Sequence, residues 1–91
     1  MEFRNHSKHP EVTVAINNAL PIGPPTLVAR LGKIASGQSR NAGLAQGRAF
    51  YVYVSASNVE PIPEGTIIAQ MGGVYAGSTV TLTENDAIII T

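Results

Sequence analysis

Cysteine and tryptophan are absent from this chain of 91 residues, and charge of either sign is scarce. Each absence excludes something. Without cysteine, neither a disulfide nor a thiolate zinc site can reinforce a small core. Only 13% of residues are charged, about half the share usual in soluble chains. A surface so poor in charge is poorly solvated for a lone monomer, so other subunits or a partner are expected to cover part of it. Long apolar runs are missing too. With tyrosine set aside, the longest is Ala87-Ile88-Ile89-Ile90, far below the roughly 20 residues that span a bilayer. The first ten residues are polar and lack the apolar stretch of a signal peptide, which leads to the expectation of a protein made in the cytoplasm and not bound to membrane.

Acids are absent from the whole stretch between Val12 and Val59. The six bases, Arg4, Lys8, Arg30, Lys33, Arg40 and Arg48, all lie in the first 48 residues, against Glu2 and Glu11, for a formal +4. Residues 49–91 carry Glu60, Glu64, Glu84 and Asp86 with no base, a formal −4. A net charge of zero thus hides a dipole along the sequence, which bears on association with copies or charged surfaces rather than on fold.

Residues 1–10 hold both histidines and end at a proline, and read as a mobile N-terminal arm before a single β domain over 11–91. Glu11–Ile16 has apolar residues at alternate positions, the period of a half-buried strand. Leu20-Pro21-Ile22-Gly23-Pro24-Pro25 places three prolines in five positions, which fix φ and remove amide donors, so it reads as a stiff extended connector. Thr26–Leu31 is a second strand. Gly32 to Gly47 has four glycines in sixteen residues, too many for a continuous helix, and reads as a long Gly-rich basic loop. Ala49–Val54 is rich in aromatic and β-branched residues and reads as a strand. Pro61–Gly65 is a turn, and Gly72-Gly73 between Thr66–Met71 and Val74–Tyr75 is a hairpin signal. Ser78–Leu82 and Ala87–Thr91 pair across Thr83-Glu84-Asn85-Asp86. Short strands at regular spacing, with Gly and Pro between them, predict an all-β sandwich or barrel.

Arg30, Lys33, Arg40 and Arg48 form the one candidate functional cluster, since flexible glycines beside guanidinium groups can approach phosphates or carboxylates. It is no P-loop: Gly32-Lys33 is followed by Ile34, and Leu27 stands where the first glycine is required. His6 and His9 lack the further ligands a metal needs and read as solvent-exposed tail residues. Glu60 with Glu64, and Glu84 with Asp86, bracket turns, where carboxylates solvate and cap the backbone. No histidine lies within the expected β domain to act as base for its serines, and no nucleophile elbow exists. The chain is therefore expected not to be an enzyme, and to need neither cofactor nor metal. Tyr51 and Tyr53 share one face of their strand and suit either a subunit interface or a stacking platform for bases. The terminal strand carrying Ile88 and Ile90 is apolar on both faces with no gatekeeping charge, so it is expected to be buried within the domain or between subunits.

The layout of arm 1–10, Leu20–Pro25, the strands after Ala49 and the apolar Ala87–Thr91 resembles the small head-decoration (cement) proteins of tailed phages. The resemblance implies a virion protein that trimerises on a capsid lattice, its arm ordering against the major capsid protein by strand addition. The expected role is a non-enzymatic structural protein that oligomerises and attaches to a larger assembly, with Arg30, Lys33, Arg40, Arg48, Tyr51, Tyr53, Ile88 and Ile90 as contacts. The alternative is a small cytoplasmic β-barrel module that binds single-stranded nucleic acid or another anionic ligand through Arg40, Arg48, Tyr51 and Tyr53.

Overall fold

Val12, Val14 and Ile16 are fully buried, while Ala15 between them and Asn17 after them are not, and that alternation fixes how β2 (Glu11–Asn18) sits. It lies inside an antiparallel sheet, between β3 (Leu27–Ala35) and β5 (Phe50–Ser55), with β6 (Ile67–Val74) beyond β5. This computed structural model describes residues 1–18 and 26–91. The connector expected over Leu20–Pro25 lies outside the described residues.

A second sheet has the order β4-β1-β7-β8, made of β4 (Ser39–Asn41), β1 (Glu2–Asn5), β7 (Thr79–Leu82) and β8 (Ile88–Ile90). One apolar core joins the layers: Phe3, Val80 and Leu82 from this sheet, and Val12, Val14, Ile16, Ile34, Phe50, Val52, Val54 and Val74 from the other. The fold is all-β, a two-layer sandwich rather than a closed barrel, and the described residues outside the strands add only a short 3₁₀ turn at Glu64–Thr66.

The N-terminal segment is not a mobile arm, contrary to the sequence reading. Glu2–Asn5 pairs parallel with Thr79–Leu82 on one side and antiparallel with Ser39–Asn41 on the other, so β1 is an internal strand. Its two faces explain why. Phe3 is completely buried, whereas Glu2 and Arg4 face outward and pair with each other at 2.9 Å. Asn5, also fully buried, donates from Nδ2 to the Ile34 carbonyl of the facing layer at 3.0 Å. Its Oδ1 accepts from the Ser7 amide at 3.0 Å and from Ser7 Oγ at 2.6 Å. These bonds tie the two sheets together at one end and order the chain between β1 and β2.

The glycine-rich stretch is also more regular than expected. β3 runs through Gly32 to Ala35, and a tight turn at Ser36-Gly37, with Gly37 at φ +83°, leads into β4. Gly32, at φ +72°, serves a bulge: Val14 faces Gly32 and Ala15 faces Arg30, leaving Leu31 as the extra residue, turned into the core. Only residues 42–49 remain a loop between strands. Gly72-Gly73, predicted as a hairpin turn, lies within β6 and makes a second bulge opposite Tyr51, with Gly73 at φ +72°. The turn expected over Pro61–Gly65 closes one residue later, where the Thr66 amide donates to the Pro63 carbonyl at 3.0 Å. The C-terminal hairpin forms as the pattern indicates, with Val80, Thr81 and Leu82 opposite Ile90, Ile89 and Ile88.

Candidate functional site

Two surface features emerge from these layers: the outer face of the β3-β2-β5-β6 sheet, and the edge of β8, which among the described residues is free of a further strand. On the outer face the register aligns side chains in rows. Arg30, Ala15, Tyr53 and Gln70 form one, Leu27, Asn17 and Tyr51 the next, and Lys33, Thr13 and Ser55 a third. The segment after β5 folds over the third row, where the Thr13 hydroxyl donates to the Ser57 carbonyl at 2.6 Å and Ser55 Oγ meets Thr66 Oγ1 at 2.6 Å. That cover buries Thr13 and Ser55. Beside it lies an open groove of about 310 Å³, with Ala15, Tyr53, Leu27 and Ile67 among its lining and Arg30 and Glu64 as its charged groups.

Tyr51 and Tyr53 stand side by side with ring centroids 6.4 Å apart and planes tilted by 34°. The Tyr51 ring covers Gly72 so closely that a Cβ there would lie 2.5 Å from Tyr51 Cε1. The bulge glycine is thus a seat for this ring, which no pattern of alternation could have revealed.

The four basic residues of the predicted cluster are not brought together. Arg30 and Lys33 share the outer face of β3. Arg40 sits on β4 opposite Phe3 and donates from its guanidinium to the Leu31 carbonyl, closing the margin between the layers at the bulge. Arg48 is exposed in the loop before β5. One charge from each half of the sequence meets here, since Glu64 of the acidic half shares the groove with Arg30 of the basic half.

The histidines part company as well. His6 is exposed, but His9 is half-buried and its Nε2 lies 2.9 Å from Asp86 Oδ1, tying the β1–β2 connector to the β7–β8 turn. Asp86 holds φ +60° in that turn. Among the described residues, no three of His, Asp and Glu stand close enough to hold a metal ion, and no helix is long and apolar enough to cross a membrane.

Ile88 and Ile90 pack against the core from the last strand, but Ile89 points outward and is 51% exposed. The expectation that β8 is buried on both faces within the domain therefore fails: it is the edge of its sheet. The other three edges are guarded by devices that oppose strand addition. β3 carries a bulge with Arg30 and Lys33, β4 has Arg40 at its centre, and β6 is bent by its Gly72-Gly73 bulge. β8 is as short as β4 but has no charge, proline or bulge. β6 passes near it in the facing layer without forming a ladder with it. The pairing pattern also fixes where its spare backbone groups point. Thr79 and Thr91 exchange two hydrogen bonds at 3.0 and 2.9 Å, and the Thr83 amide donates to Ala87 at 2.8 Å. Bonded and non-bonded pairs alternate, so Ile89 bonds to β7 while the amides and carbonyls of Ile88 and Ile90 point outward.

Compared with known proteins, the chain matches no family model, no curated protein and no solved structure.

Proposed function

We propose that this chain is a non-enzymatic structural protein that associates with copies of itself and attaches to a larger assembly, a virion lattice built on a major capsid protein being the setting its layout implies. One observation carries this reading. The most apolar strand of the chain, three residues long, ends a sheet with no charge, proline or bulge along it and presents Ile89 to solvent. Such an edge invites another chain to pair with it. The low charge content and the exposed Leu27, Val28, Tyr51 and Tyr75 support covered surface in the same way. Because residues 2–5 are already part of a sheet, attachment proceeds through this edge and the outer face rather than through a free arm. Sedimentation velocity over a range of concentrations and salt tests it. Species heavier than the 9.5 kDa chain are expected, and a monomer under every condition refutes self-association.

A second reading, a module for single-stranded nucleic acid or another anionic ligand, draws on Tyr53 and Arg30 lining one groove with Tyr51 alongside. Stacking on aromatic rings beside a guanidinium is the chemistry such ligands use. Glu64 in the same groove opposes it, and Arg40, spent on the Leu31 carbonyl, lies apart from the tyrosines. Titration with single-stranded DNA decides: binding that weakens with salt and is lost in Tyr53→Ala favours the module.

A further inference from the structure

The free edge of β8 is complementary to itself. We propose that two copies of the chain join their second sheets by antiparallel pairing of β8 with β8 about a two-fold axis that passes beside Ile89. The inference rests on the reading of the chain as self-associating and specifies how it does so.

The geometry follows from the ladder already present. Ile88 and Ile90 hold outward-facing amides and carbonyls, two positions apart. In an antiparallel pair, residues opposite each other at a bonded site exchange both hydrogen bonds. With the axis at Ile89, Ile88 faces the partner's Ile90 and Ile90 faces the partner's Ile88. Both sites are then bonded sites, and four hydrogen bonds form with every outward group satisfied. Ile89 meets the partner's Ile89 as the non-bonded pair between them, where side chains approach most closely. The side chain left 51% exposed in one chain is thereby covered by its own copy. The contact is isologous, so it closes at two copies instead of growing into a fibre.

Charge selects this direction of pairing. The β7–β8 turn carries Glu84 and Asp86 just before β8. Parallel pairing would set the two acidic turns side by side. Antiparallel pairing about Ile89 separates the two copies of Asp86 by six strand positions, about 20 Å, well beyond the screening length of about 8 Å at physiological salt. Two-fold pairing yields an even number of subunits, in place of the three-fold ring that the resemblance to cement proteins implies.

Two variants test this. The chain has no cysteine, so Ile89→Cys supplies one thiol per copy. Opposed residues at a non-bonded site lie about 4.5 Å apart between Cα atoms, within disulfide range. Mild oxidation of the folded protein should therefore convert Ile89→Cys to covalent dimer far faster than Asn41→Cys, an exposed position on the opposite edge of the same sheet. Ile89→Lys, which alters an exposed side chain and leaves the core alone, should keep the wild-type circular dichroism and halve the mass measured by light scattering. Cross-linking of Ile89→Cys no faster than Asn41→Cys, or undiminished mass in Ile89→Lys, overturns pairing through β8. A wild-type trimer also overturns the two-fold arrangement yet leaves self-association standing, whereas a wild-type monomer at all concentrations overturns both.

Discussion

Replacing Phe3 by alanine tests most sharply whether the N-terminal residues belong to the core. Phe3 is 0% exposed and lies between Arg40 of β4 and Val80 of β7 in the register of its sheet. Removing a buried phenylalanine side chain costs about 3–5 kcal/mol, from lost transfer free energy and the cavity left behind. A chain of this length holds about 5–14 kcal/mol in total, so the variant should lose at least a fifth of its stability and in the extreme fail to fold. A shift of about 4–8 °C per kcal/mol in a domain of this size places the loss in Tm above about 12 °C. The assay is urea unfolding followed by circular dichroism at one fixed protein concentration, because association adds to apparent stability. Arg4→Ala, altered on the outward face of the same strand, should stay within about 0.5 kcal/mol of wild type. A loss below about 1 kcal/mol for Phe3→Ala, equal to that of Arg4→Ala, would refute the placement of β1 inside the sandwich.

Further expectations concern the ties between layers. Asn5→Ala strands the Ile34 carbonyl and the Ser7 amide in a buried site, and should cost about 2–3 kcal/mol in the same urea assay; a change under 0.5 kcal/mol would mean the network contributes nothing. Gly32→Ala forces a side chain into φ +72° with its Cβ 3.2 Å from Arg40 Nη1. It should lose about 1–2 kcal/mol from the backbone alone, and a neutral or stabilising result would exclude the bulge geometry.

The strands that were legible in the sequence are those with alternation over five or more residues. β2 and β5 declare themselves by Val12-Val14-Ile16 and Phe50-Val52-Val54, because one face is core and the other is not. The β7–β8 hairpin is local, and its turn residues mark it. β1 was missed because Phe3 is the sole large apolar residue of a four-residue strand and its parallel partner begins at Thr79, so no local signal joins them. Met1 and Phe3 buried, with Glu2 and Arg4 facing outward, is nonetheless the alternation of a strand, visible to a reader who does not assume that a terminus frays. Glycine misled twice for one reason. Gly32 and Gly73 supply positive φ for bulges inside strands, and a bulge asks of the sequence the same residue as a turn. For the surface, sequence correctly paired Tyr51 with Tyr53 but grouped Arg40 with Arg30 and Lys33, since spacing cannot show that β3 and β4 lie in different layers. The exposed edge of β8 was half legible. Its lack of guarding charge is written in Ala87–Thr91, but its place at the rim depends on the order of the whole sheet.

Amide hydrogen exchange across the last strand, measured by NMR at low and high protein concentration, tests the central claim most directly. The Ile89 amide bonds to β7 within one chain, whereas those of Ile88 and Ile90 face outward. Self-association through this edge predicts that Ile89 is protected throughout, and that Ile88 and Ile90 gain protection as concentration rises. Rapid exchange of Ile88 and Ile90 at the highest concentration, with Ile89 still protected, would contradict it.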